Sequence, residues 1–149
     1  MRTIIAAVLA VVVACLGLVT ACHTARGAEQ NTRVVVELVG LNCPYCRAIE
    51  PDIQALKKAG YLIQQIVSDD DDAEQSISLA SGQQLKGNGG GFMEAFNSGR
   101  TGNNRITKVP TMVLLDGQTA KVLAVRGLVR MDANAIQQQL KAWQISPEK

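Results

Sequence analysis

The sequence predicts an α/β layer architecture with a mixed central sheet flanked by helices, and three observations carry that expectation. β-Branched, aliphatic runs alternate with stretches whose apolar residues recur at helical spacing. Two late runs are separated only by a short turn sequence, so they form a hairpin. A capped helical segment closes the order strand, helix, strand, helix, hairpin, helix.

The chain of 149 residues opens with MRTIIAAVLAVVVACLGLVTA, in which Arg2 is the one charge before an apolar run from Ile4 to Ala21. A positive start and a long apolar stretch ending in small residues read as an export signal. The run is also just long enough to span a bilayer as an uncleaved anchor. Its end, VTAC (Val19 to Cys22), resembles the bacterial lipobox, which implies a lipoprotein-type signal over residues 1–21 and lipid on Cys22. A similar VVAC ends at Cys15 but leaves a very short apolar region. Simple secretion, with Cys22 an incidental small residue, is the alternative. Residues 22–32 are small and polar and read as a tether, and residues 33–145 suffice for one domain with its own core.

Within that domain RVVVELVG (33–40) is apolar and β-branched, as a buried strand is. A helix starts at Pro44 and runs to Lys58, with Gly60 as stop signal; Ile49, Ile53 and Leu56 make its apolar stripe. YLIQQIVS (61–68) is the next strand. Asp71 and Glu74 fit a capping box, so a second helix is expected from there to about Leu85. KGNGGG and NSGRTGNN read as glycine-rich loops around a short helix, FMEAF. TMVLLDGQTAKVLAVRG gives two strands joined at DGQ, and MDANAIQQQLKAW is a helix with Asp132 as N-cap.

Charge and composition exclude several functions. With Arg2 set aside from the 15 Lys plus Arg, 14 remain and nearly balance the 13 Asp plus Glu, and only 3% of residues are aromatic. No basic patch with stacking aromatics points to nucleic acid. Asp69–Asp72 lacks the spaced glycine and closing glutamate of an EF-hand, and KGNGGG lacks the Gly-Lys-Ser/Thr ending of a phosphate loop.

Chemistry concentrates at NCPYC. Cys43 and Cys46 are the domain's two cysteines, and the single histidine, His23, is in the tether. Structural zinc wants four ligands, so no metal is expected within one chain. No domain histidine is available to activate a thiol for hydrolysis. A structural disulfide closing so small a ring restricts the unfolded chain little. A reactive dithiol explains more: a cysteine at a helix N-terminus meets unpaired N–H groups and the positive dipole end, which favour thiolate. Pro44 suits the first helical position. Cys43 is then the exposed nucleophile and Cys46, facing inward nearly one turn on, the resolving thiol.

CPYC with Pro51 five residues later, and KVPTMVLLDGQ around Pro110, resemble the thioredoxin superfamily. The resemblance spans roughly residues 33–145 and implies a thioredoxin-like fold. It implies a cis peptide at Pro110, substrate backbone bound at Val109, and substrate contact at Pro110, Pro44 and Tyr45. Glu37, six residues before Cys43 in an apolar strand, matches the acid that relays the second cysteine's proton, although an outward strand carboxylate is the plain reading. Gly127 matches a further glycine of the family pattern. Asn42 stands where many thioredoxins have tryptophan. Pro44-Tyr45 is similar to glutaredoxins without their glutathione-binding segment. VVELVGLNCPYC is similar to periplasmic Dsb-type oxidants, but the chain is too short for their inserted domain, and the surplus over a minimal thioredoxin falls in residues 69–105. Lys108 reads as solvated.

The resemblance thus implies an extracytoplasmic thiol–disulfide oxidoreductase acting on protein thiols and disulfides. Its redox element is the Cys43–Cys46 disulfide, it needs no other cofactor, and it is reset by a redox partner protein. A thioredoxin-fold assembly factor or chaperone of a secretion or conjugation system, with a non-essential dithiol, is the alternative. Copper delivery through the two thiols is a third reading.

Overall fold

Arg33–Val39 forms β1, the strand around which the computed structural model is organised. Residues 32–148 are described; the expected signal and tether, with Cys22, lie outside the described residues. β1 pairs parallel with β2 (Ile63–Val67) and antiparallel with β5 (Thr111–Asp116), which pairs antiparallel with β6 (Val122–Gly127). The order β2-β1-β5-β6 makes a mixed sheet. β1 is apolar without alternation because both of its faces are covered.

The two faces carry separate cores. Val35, Met112 and Leu114 meet Ile49, Ile53 and Leu56 of α1 (Pro44–Lys58), together with Ile136 and Leu140 of the C-terminal helix (Ala133–Ala142). On the opposite face Val34, Val36, Leu38, Val113 and Leu115 pack on Phe92 and Phe96 of a helix over Gly89–Asn97, here α2, which makes the C-terminal helix α3. Asp132 caps α3 as expected, its Oδ1 accepting the Ala135 amide at 2.8 Å. α1 ends at Lys58, and Gly60 takes φ +95° just beyond.

The segment after β2 departs from the sequence reading. No helix runs from Asp71 to Leu85; Gln75–Ser78 (β3) and Gln84–Gly87 (β4) form an antiparallel hairpin. The reason is a period of two: Ile77 and Leu79 point into the second core while Ser76 and Ser78 point out. The presumed capping box is used otherwise. Asp70 Oδ1 accepts the amides of Asp72 and Ala73, and Glu74 reaches Lys86 across the hairpin at 3.4 Å.

Side-chain amides stitch the hairpin to the edge of β2. Gln75 exchanges two hydrogen bonds with the Val67 backbone (2.7 and 2.9 Å), and Gln64 exchanges two with Ser78 (both 2.8 Å).

The glycines of KGNGGG are not a loose loop. Gly89 to Gly91 are the first turn of α2, with Asn88 Oδ1 capping the Gly91 amide at 2.8 Å. A Cβ on Gly89 would strike the Val67 carbonyl and the Ser68 backbone, and one on Gly90 would sit 2.6 Å from Asp71 Oδ1. Glycine serves close approach here. The β5–β6 hairpin is present, with its turn over residues 117–121 held by Asp116, whose Oδ1 accepts from the Gln118 and Thr119 amides.

Candidate active site

β1 ends at Val39, and the loop from Gly40 to Asn42 delivers Cys43 to the N-cap of α1. The Cys43 amide donates to the Gly40 carbonyl at 3.3 Å, and the Leu41 amide donates to Asp69 Oδ1 at 2.8 Å. Space is tight. A Cβ on Gly40 would lie 3.2 Å from Val109 Cγ2, 3.3 Å from Cys43 Cβ and 3.4 Å from Asp69 Oδ2. The glycine therefore lets three segments converge on one point.

Cys43 and Cys46 are joined as a disulfide, with Cα atoms 5.2 Å apart. The Cys46 amide donates to Cys43 Sγ at 3.0 Å, so the sulfur occupies the place of a capping side chain. When the disulfide opens, that N–H and the helix dipole both favour negative charge on Cys43. Cys43 is half-buried, whereas Cys46 is only 6% exposed. Pro44 stands exposed in the first helical turn, and Tyr45 and Leu41 are 58% and 57% exposed.

The loop before β5 closes the site from the other side. The Val109–Pro110 peptide is cis, and the Val109 carbonyl oxygen lies 3.8 Å from Cys43 Sγ. A disulfide sulfur has no hydrogen to donate, so this is a packing contact while the pair is oxidised. Pro110 is buried and its carbonyl accepts the Leu128 amide at 3.0 Å. Gly127 pairs with Thr111 at the same end of the sheet, with nothing within 4 Å of where its Cβ would stand. Lys108 is exposed.

Glu37 is not an outward carboxylate: it is fully buried on the α1 face of β1. Burial pushes its carboxyl up to about 7; the Glu50 charge adds to the rise, while a Gln65 hydrogen bond and Lys57 oppose it. Oε2 accepts from Gln65 Nε2 at 2.8 Å. Oε1 is the one buried side-chain polar atom without a partner among the described residues. A buried carboxyl that binds a proton near neutrality, under a helix that starts with a dithiol, is suited to proton exchange.

The structure thus brings Cys43, Cys46, Pro44, Tyr45, Val109 and Pro110 to one end of the sheet, with Glu37 below. Cys22 lies outside the described residues. Sequence reasoning missed Asp69, Glu50 and Gln65. Asp69 was hidden in an acidic run, and Gln65 gains meaning only from the register that sets it opposite Glu37. Among the described residues no cluster of three His, Cys, Asp or Glu side chains could hold a metal ion.

A family profile described as a thioredoxin-like domain matches residues 19–144. The chain belongs to the thioredoxin-like family. One solved structure supports the fold, and a second shows weaker similarity. The pneumococcal exposed lipoprotein thioredoxin of Streptococcus pneumoniae shares 21% identity and a TM-score of 0.50, over 78% of this chain and 88% of that one. A thiol:disulfide interchange protein of the thioredoxin family from Chlorobium tepidum is 18% identical, with a TM-score of 0.48 over 78% and 82% of the two chains. No curated protein matches the chain in sequence. A thioredoxin-like domain whose CxxC cysteines are paired is a thiol–disulfide oxidoreductase.

Proposed function

We propose that this thioredoxin-like chain works on the extracytoplasmic side of a bacterial membrane, held by lipid on Cys22, and exchanges disulfides with protein substrates. The observation that carries the chemistry is the asymmetry of the pair. Cys43 sulfur is partly exposed, faces Val109 and is stabilised by the Cys46 amide, whereas Cys46 is sealed.

In the reducing direction the Cys43 thiolate attacks one sulfur of a substrate disulfide. A mixed disulfide forms and the other substrate sulfur leaves as thiolate. Cys46 then gives its proton to Glu37 and attacks Cys43 Sγ. The internal disulfide forms, the second substrate thiolate is released, and two electrons have passed to the substrate. Oxidation of a substrate dithiol is the same path reversed, with Glu37 returning the proton as Cys46 leaves. Pro110 and Val109 line up an extended substrate backbone, and Pro44 and Tyr45 offer it an exposed surface. A redox partner protein resets the dithiol, and no cofactor beyond the disulfide takes part. The VTAC sequence ending at Cys22 supports the lipid anchor, and the pneumococcal neighbour is itself an exposed lipoprotein. Among the described residues no helix is long and apolar enough to cross a membrane.

Trapping tests the reaction. A Cys46→Ser variant incubated with insulin accumulates a mixed disulfide at Cys43, and a Cys43→Ser variant accumulates none. Equal trapping by both variants would remove the assigned roles, and absence of exchange in the native chain would remove the activity. Anchoring is read separately: radiolabelled palmitate enters the chain in an expressing bacterium and is lost in Cys22→Ala. An unlabelled native chain would sink the anchor.

A further inference from the structure

Four polar side chains run from the open face of α1 to the floor of the site. Gln54 Nε2 donates to Glu50 Oε1 at 2.6 Å, and Gln65 Nε2, on β2, donates to Glu50 Oε2 at 3.0 Å. The same nitrogen donates to Glu37 Oε2 at 2.8 Å. A side-chain amide nitrogen carries two hydrogens, so Gln65 spends one on each carboxyl group. Two oxygens held on one nitrogen at these distances lie less than about 6 Å apart.

A pair this close resists double ionisation when one member is sealed from water. Glu50 is half-buried, and each of its oxygens accepts an N–H. Glu37 is fully buried and keeps one oxygen bare. The proton therefore belongs on Glu37 Oε1. Glu50 stands on α1 four residues after Cys46, one turn along the same face.

The other groups around Glu37 do not supply this effect. α1 adds Lys57, which opposes it. β2 presents the neutral Gln65, and β5 presents Met112 directly opposite. β6 adds Arg126, next in the same row and exposed, and α3 contributes Ile136 and Leu140 to this face.

We propose that Glu50 is a positioning residue of the redox site: acting on Glu37 across the shared Gln65 amide, it adds to burial in holding a proton on that carboxyl, where it can be given to the Cys46 sulfur as that sulfur leaves. This rests on the reading of Glu37 as the group that trades a proton with Cys46, and the experiment separates the two.

The full chain is labelled with carboxyl-¹³C glutamate, and the Glu37 resonance is identified by its loss in Glu37→Gln. Glu50→Gln removes a negative charge and moves the Glu37 midpoint to lower pH by about 0.5 to 2 units, the range for a like charge at this separation between watery and protein-like screening. Gln65→Leu removes a hydrogen bond to the charged form and moves the midpoint the opposite way. Glu50→Asp restores part of the native midpoint. The pH profile of insulin disulfide exchange follows the same shifts. An unmoved midpoint in Glu50→Gln, or movement of both variants in one direction, overturns the proposal. If Glu37→Gln abolishes the pH-dependent limb while Glu50→Gln leaves it in place, the Glu50 role falls and the Glu37 reading stands. If Glu37→Gln keeps the native profile, both fall.

Discussion

A carboxyl sealed on the central strand bears on stability even when no disulfide is exchanged. Glu37 binds its proton up to about pH 7 in the folded chain, against an ordinary value of 4.5 that the unfolded chain regains. Below about 4.5 both states are protonated and Glu37 contributes no pH dependence. Between 4.5 and 7 the unfolded state ionises first and binds fewer protons, so stability falls as pH rises. Above 7 the loss is complete and amounts to at most about 3 kcal/mol. Replacing Glu37 by Gln removes that slope. Urea unfolding of the oxidised protein at pH 4 and pH 8 therefore shows Glu37→Gln gaining on the native chain by about 3 kcal/mol at the higher pH. A constant difference between the two would mean that Glu37 ionises normally in its buried place.

At the level of elements, what the sequence made legible were those whose signal is local. α1 carries its proline and its stripe at Ile49, Ile53 and Leu56 within fifteen consecutive residues, with its stop at Gly60 just beyond, and it forms as read. α3 with its Asp132 cap does the same. The β3–β4 hairpin was misread because Asp71 and Glu74 satisfy a helix-capping spacing, while the alternation that decides it is four residues long. Only packing of Ile77 and Leu79 against the second core settles which pattern wins. The glycines of α2 were misread for a related reason: composition cannot distinguish a glycine that moves from one that lets two backbones touch. Gly89→Ala makes the distinction measurable. Helix propensity alone favours alanine by about 1 kcal/mol. The Cβ would instead meet the Val67 and Ser68 backbone, and overpacking of that kind costs about 1–3 kcal/mol. Thermal unfolding should show a net loss; a gain would mean that the start of α2 is free to shift.

Across the whole molecule, the dithiol was readable because CxxC, Pro51 and Val109-Pro110 are sequence-local tokens of one arrangement. The polar chain behind it was not. Glu37, Glu50 and Gln65 come from three elements, and only the parallel register of β1 and β2 places Gln65 opposite Glu37. Asp69 belongs to the same class, an acidic residue given its place by the loop it ties at Leu41.

The glutamine bridges along β2 have a further consequence, for how this chain meets copies of itself. A sheet edge with unpaired amides and carbonyls is a template for another strand, and through it for aggregation. Gln75 occupies both backbone groups of Val67 on that edge, and the hairpin it belongs to stands where an incoming strand would lie. The opposite edge, β6, carries an irregular register against β5 at Leu114/Leu115 and an exposed Arg126, features that discourage strand addition. The β2 border is thus taken up by the chain's own hairpin before another copy can reach it.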